Sequence, residues 1–339
     1  MGLNDTWLAL VQEQALEPDL PICDAHHHLW GKRNHHTAPR YLLPDFLADI
    51  DTGHNIVSTI YVDSNAMYRA EGPPAMAPVG EIEFANGVAA MSASGLYGKT
   101  RVAAGIVGHA NMLLGNAVGD VLDAMIAAAT NRFRGIRHST TIDADDALPK
   151  HRDAPRAQLL LDKVFRAGIG ELVQRGLIFE AHLWHPQLHE LTDFARAFPD
   201  LTIVVNHCGG PLGIGRYKDM REEVMANWRR DLAELARCDN VMVKLGGVNM
   251  TIIGHDWHKR DRPPTSDELL AAAGDIIRYA IETFGTERAM FESNYPAERA
   301  SCAYGPLWNF FKKVTANFSA LDKARLYHDN ATRIYKLGI

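Results

Sequence analysis

Asp24, His26 and His28 stand two residues apart at the end of a short apolar run, Pro21-Ile22-Cys23, a spacing that suits a metal-binding or hydrolytic strand end. In an extended strand, side chains two residues apart share a face, so alternation predicts that these three converge while Cys23, Ala25 and His27 point away. A pair of imidazoles on one face can ligate a divalent ion, and with the carboxylate they form a polar floor for hydrolysis. A solvated histidine tract is the competing explanation, but it does not account for the cluster's position directly on an apolar strand.

The elements that must position these groups recur regularly. Eight short apolar, β-branched runs are predicted as strands: Pro21 to His26, Ile56 to Asp63, Arg101 to Gly108, Phe133 to His138, Leu177 to His182, Thr202 to His207, Val241 to Leu245 and Arg288 to Ser293. Helix-length segments lie between them, among them Val79 to Ser94, Ala117 to Ala129, Leu159 to Gln174, Pro186 to Ala197, Glu222 to Cys238 and Ser266 to Phe284. Eight strands alternating with helices fit a closed (β/α)8 TIM barrel, and no Gly-x-Gly-x-x-Gly follows the first strand to suggest a dinucleotide fold. Met1 to Leu20 is predicted as an extra N-terminal helix and Ser319 to Leu337 as a C-terminal helical tail, with 1–339 forming one barrel domain.

Barrel enzymes carry their chemistry at the C-terminal ends of the strands, and this sequence places an ionisable group at nearly every one. The first strand gives Asp24, His26 and His28; the second Asp63; the third is followed by His109; the fourth gives Arg137 and His138. The fifth gives Glu180 and His182 with His185 just beyond, the sixth His207, the seventh Lys244, and the eighth Glu292 and Asn294. Structural roles compete for several of these: Lys244 with Glu180 or with Glu292 as a buried ion pair, Arg137 with Glu180 as another, and Asp63 as a helix cap.

Taken in order, Asp24-Ala25-His26-His27-His28-Leu29-Trp30, Phe133-Arg134-Gly135-Ile136-Arg137, His185-Pro186-Gln187-Leu188, Val205-Asn206-His207-Cys208-Gly209-Gly210-Pro211, Val243-Lys244-Leu245-Gly246-Gly247 and Met290-Phe291-Glu292-Ser293-Asn294-Tyr295-Pro296 resemble the lactonase-containing amidohydrolase 2 branch of the amidohydrolase superfamily. The resemblance runs from the first strand to Asp329-Asn330-Ala331 in the last helix. It implies hydrolysis of a lactone, less often of an amide, or a non-oxidative decarboxylation, with members differing in whether they need a metal. The branch's usual strand 8 pattern is similar to Gly-Ser-Asp-x-Pro, whose Asp takes a proton from the attacking water. Here the chain reads Glu292-Ser293-Asn294-Tyr295-Pro296, and an amide cannot serve as a general base.

These residues lead to an expected mechanism: water attacks the ester carbonyl of a small carboxylated lactone, activated by Glu292 or by His207, with Asn294 orienting the water or the carbonyl. One divalent ion, expected to be zinc, would be held by His26 and His28 with His182 as a third ligand, unless the imidazoles act without metal. The larger superfamily often bridges two metals with a carboxylated lysine or a glutamate at strand 4 or 5, and since strand 4 here ends in Arg137 the resemblance implies no binuclear site. Arg137, His138, Lys244 and His185 are the expected contacts to an anionic substrate. Decarboxylation on the same barrel is the rival enzyme reading, and a non-catalytic ligand-binding barrel is the rival outside enzymology.

Composition agrees with a small-molecule role. The formal charge of −6 gives no electrostatic reason to expect nucleic acid, and the 339 residues with 47% apolar content can build a large core. No apolar run reaches membrane-spanning length, and Cys23, Cys208, Cys238 and Cys302 form no Cys-x-x-Cys, so a cytoplasmic location without membrane partners is expected. A homo-oligomer stays among the alternatives.

Overall fold

All eight predicted strands form, each within two residues of its expected bounds: β1 (Ile22–His27), β2 (Ile56–Val62), β3 (Arg101–Gly108), β4 (Phe133–Ser139), β5 (Ile178–His182), β6 (Ile203–Val205), β7 (Val241–Leu245) and β8 (Ala289–Phe291). The computed structural model describes residues 4–33, 38–149 and 156–338. The strands pair in parallel in sequence order. Just beyond β8 the sheet closes on itself: Asn294 N–H donates to His26 O at 2.9 Å and His28 N–H to Tyr295 O at 2.7 Å.

A (β/α)8 barrel results, with helices α1 (Asp5–Leu8), α2 (Leu43–Ile50), α3 (Val79–Ala93), α4 (Val118–Ala128), α5 (Lys163–Gln174), α6 (Leu188–Ala197), α7 (Arg221–Leu235), α8 (Ser266–Phe284) and α9 (Tyr304–Val314). Helix α8 starts where a reciprocal cap is written into the chain, Thr265 Oγ1 accepting from Glu268 N and Glu268 Oε2 from Thr265 N. The outward faces of the strands pack against aromatic side chains of the helices, including Phe46, Phe165, Phe194, Trp228 and Phe311.

The N-terminal helix is much shorter than expected. Only Asp5–Leu8 is helical, while Met1–Leu3 lie outside the described residues. Downstream the chain runs as a strap whose backbone finds partners in α9: Leu16 N donates to Asn309 Oδ1, Asn309 Nδ2 to Gln14 O, and Lys312 Nζ to Leu16 O and Glu17 O. Side chains thus supply the bonds a helix would have made internally.

The tail is helical as expected, Ala320–Ala324 and Asn330–Ile334 joined by a wider π turn over Arg325–Asp329. It plugs the barrel. Ala331, Ile334, Tyr335 and Leu337 pack with Cys23, Ala25, Ile60, Val62, Val107, Ile178, Val204, Met242 and Met290 in an apolar interior layer. Two residues further along β5, β7 and just past β8 stand Glu180, Lys244 and Glu292, so one pleat higher the interior turns from apolar to ionic.

Candidate active site

Alternation along β1 breaks at the site. The register with β2 slips between Asp24 and His27, so three residues of β1 span two of β2. Cys23 and Ala25 therefore join the barrel interior, and Asp24 turns outward against α9: its Oδ1 accepts from Ser293 N at 2.8 Å and its Oδ2 from Tyr304 Oη at 3.0 Å. The convergence expected of Asp24 with His26 and His28 is thus corrected, because the bulge re-aims the strand after Asp24. Burial pushes Asp24 up to about 6. His27 faces out as expected, stacked 4.3 Å from Phe46.

His26 and His28 do converge, their Nε2 atoms 3.1 Å apart. His28 Nδ1 lies 2.9 Å from Val62 O, and since a carbonyl only accepts, this nitrogen carries the proton and Nε2 keeps the lone pair. Burial, reinforced by Lys244 at His26 and by Arg137 at His28, holds both rings well below the ordinary imidazole range, so both are neutral, the form that ligates metal. Two zinc-bound nitrogens at about 2.0–2.1 Å in a tetrahedral site are about 3.3–3.4 Å apart. The observed pair is close to that spacing, and the two rings fit one ion.

Glu292 links the two histidine-bearing walls. Its Oε1 accepts from His207 N at 3.0 Å and lies 2.7 Å from His207 Nδ1, while Oε2 is 2.8 Å from His26 Nδ1. As an acceptor-only carboxylate it places the His207 proton on Nδ1 and the lone pair on Nε2. Among the described residues, ligand atoms of His26, His207 and Glu292 all lie within 4.8 Å of one another. The approach depends on Gly246 and Gly247, where a Cβ would fall 2.5 Å from Glu292 Cγ and 2.5 Å from the His207 ring respectively. His207 itself has φ of +56°, a left-handed conformation that turns the imidazole back toward β8.

Lys244 and Glu180 form the buried ion pair foreseen as one alternative, Nζ at 2.8 Å from both carboxylate oxygens. Asn206 Nδ2 at 2.8 Å and Tyr335 Oη at 2.5 Å complete the carboxylate's partners. Arg137 lies in register with Glu180, yet its Nε donates to Asp63 Oδ1 at 2.8 Å, NH2 donates to Asp63 O, and NH1 points at His26 Nε2 from 3.3 Å. Asp63 is thus the partner of an arginine and not a helix cap.

Two of the expected substrate contacts lie elsewhere. His138 alternates outward from Arg137 and packs 5.0 Å from the Phe165 ring of α5, its Nδ1 3.3 Å from both Met112 N and Ala110 O. His185 sits among Trp184, Leu212 and Tyr217, 5.1 Å from the Tyr217 ring and accepting from Leu212 N, with burial holding it down to about 4. Strand alternation moves the first to the wrong face; the turn after β5 carries the second past the rim. His182 stands at the edge of the basin, its ring 5.6 Å from that of His207. The Asn294 amide nitrogen is buried and has no hydrogen-bond partner among the described residues. Tyr335 gave no local sequence signal, being 155 positions from the Glu180 carboxylate it meets.

The parallel eight-stranded barrel thus gathers His26 and His28 at the end of β1, His207 after β6 and Glu292 after β8 in one buried basin. Residues 23–337 match the amidohydrolase family model, and the chain belongs to that family. It is similar to the uncharacterised protein y4mH of Sinorhizobium fredii, 31% identical over 338 residues, 94% of this chain and 99% of that one. The L-fucono-1,5-lactonase of Burkholderia multivorans is 26% identical over 207 residues, 61% of this chain and 64% of that protein. Among solved structures, an amidohydrolase of Burkholderia multivorans with bound zinc superposes with a TM-score of 0.71 at 22% identity, covering 93% of this chain and 99% of that one, which supports the fold.

Proposed function

We propose that the protein opens a small carboxylated lactone by attack of water, with His207 as the general base and Glu292 as the group that holds it. The single observation that carries this reading is the buried His207 Nδ1 to Glu292 Oε1 contact of 2.7 Å. It leaves Nε2 unprotonated at the basin, 4.9 Å between the His207 and His26 ring centres. The lactonase relative supports the choice of a cyclic ester as substrate.

In this reading the water proton passes to His207 Nε2 as the water oxygen bonds to the carbonyl carbon, and the same proton then goes to the ring oxygen when the carbon–oxygen bond breaks. The product is a hydroxy acid. Asn294 Nδ2 donates to the carbonyl oxygen as charge develops there. Burial keeps His26 and His28 neutral, and Lys244 and Arg137, held by Glu180 and Asp63, add a positive field that reinforces this and attracts an anionic substrate. His26 and His28, with His182 as the third ligand, would hold one divalent ion, for which zinc is the first candidate. When bound, such an ion supplies Lewis-acid polarisation and a lowered water pKa.

The test is acid release from a panel of aldonolactones and carboxylated lactones, followed with a pH indicator with and without added zinc or manganese, beside carbon dioxide release from aromatic carboxylic acids. Acid release supports the reading. Carbon dioxide release with no lactone opened assigns the site to decarboxylation, and ligand binding without either reaction assigns it to a binding protein.

A further inference from the structure

A carboxylated substrate needs a cation with uncommitted N–H groups, and the two strand-end cations are largely committed: Arg137 to Asp63 and His26, Lys244 to Glu180. Arg33 is not. It follows the β1 histidine run, with its backbone N–H anchored on Pro39 O at 2.7 Å and its guanidinium centred 4.4 Å over the Trp30 ring. Trp30 is itself fixed, Nε1 donating to Ala38 O at 2.8 Å and its backbone bridged to Tyr41, with its ring 6.4 Å from that of His28. Asp63, Glu81 and Arg137 are near enough to act on the Arg33 charge, but among the described residues none accepts a hydrogen bond from it or pairs with it. The nearby carboxylates are otherwise engaged, Asp63 with Arg137 and Glu81 Oε1 with Tyr61 Oη, Ser64 N and Ala66 N.

The geometry points to Arg33 as the anchor for the substrate's carboxylate, which fixes the substrate class as lactones bearing an anionic group placed toward Trp30 and away from the ester. This deepens the lactonase reading and rests on it. A guanidinium stacked on an indole is pre-organised as a planar fork, so little rotamer freedom is lost when a carboxylate docks. The binding acts on ground and transition states alike, which makes Arg33 a specificity residue read in KM.

The experiment compares a γ-lactone carrying a ring carboxylate with γ-butyrolactone, using the wild type, Arg33→Met and Arg33→Lys. Arg33→Met is expected to raise KM for the carboxylated lactone at least about 10-fold more than for the neutral one, as loss of a charge-assisted pair does. Arg33→Lys, which keeps charge and loses the fork, should fall between. In parallel, calorimetry measures Kd for tetrahydrofuran-2-carboxylate, which cannot be hydrolysed, against neutral tetrahydrofurfuryl alcohol. A KM increase equal for both lactones, a carboxylate Kd unmoved by Arg33→Met, or a wild type that binds the carboxylate no better than the alcohol overturns the assignment. If no lactone is opened yet carboxylate binding depends on Arg33, the lactonase reading fails and the anchor stands; if lactones are opened and binding ignores Arg33, the reverse holds.

Discussion

Glu292→Gln preserves the size and shape of the side chain while removing its charge. In the wild type one oxygen accepts both N–H groups of His207 and the other faces His26 Nδ1. Gln offers a single carbonyl oxygen, so either His207 or His26 then faces an NH2 group, and the imidazolium formed when His207 takes the water proton loses its counter-charge. With charge centres about 4 Å apart and an effective dielectric constant of about 20, that attraction is about 4 kcal/mol, an upper bound near 1000-fold in rate. A loss of about 100-fold or more in kcat is expected, about 2.7 kcal/mol. The assay is kcat and kcat/KM on an established lactone, with nitrogen NMR of His207 to read its tautomer and circular dichroism to verify the fold. Near-normal turnover in Glu292→Gln, while His207→Asn is inactive, would mean that the imidazole needs no carboxylate and that Glu292 is structural. Full activity in both variants would refute the whole arrangement, because water would then be activated elsewhere.

Other outcomes follow from the same geometry. Elemental analysis is expected to find at most one divalent ion per chain, lost in His26→Ala and His28→Ala, and two tightly bound ions would contradict a basin already holding Arg137 and Lys244. Gly247→Ala, which puts a Cβ 2.5 Å from the His207 ring at a φ of +64°, should cost about 1–3 kcal/mol of stability in urea unfolding and depress kcat. Asn294→Ala should lower kcat about 10- to 100-fold with a smaller change in KM if its amide stabilises the developing oxyanion. Burial raises Glu298 to about 8, so between its unfolded value near 4.5 and pH 8 the native state holds a proton that the unfolded chain releases. Stability then falls as pH rises through that window, by up to about 1.4 kcal/mol per pH unit from this group, and Glu298→Gln should show a flatter profile between pH 5 and 8. Parallel profiles for the two proteins would show that Glu298 does not titrate this way.

Much of the barrel was legible locally. Most strands begin as short apolar runs, several of them rich in β-branched residues, and end in ionisable ones, so strand positions and the ionic strand ends could be read directly from the chain. The pairing of His26 with His28 was also legible, since it needs only alternation within one strand. Alternation failed at Asp24, because a bulge depends on how β1 registers against β2 and leaves no mark in β1 itself. His138 shares a strand with Arg137 and by the same alternation faces the opposite side, onto Phe165.

Which charge meets which was decided only in three dimensions. Sequence alone allowed Lys244 to pair with Glu180 or with Glu292, and barrel closure gave it Glu180, 64 positions away, leaving Glu292 to His207 across 85 positions. The Tyr335 contact with Glu180 spans 155 positions and exists because the tail plugs the barrel floor. Residue types and strand spacing determined that a polar, histidine-rich basin would form, because those are properties of single strands. The roles of its members depend on distances between strands far apart in the chain, and those are set by register, by the bulge in β1 and by the glycines that let Glu292 and His207 approach.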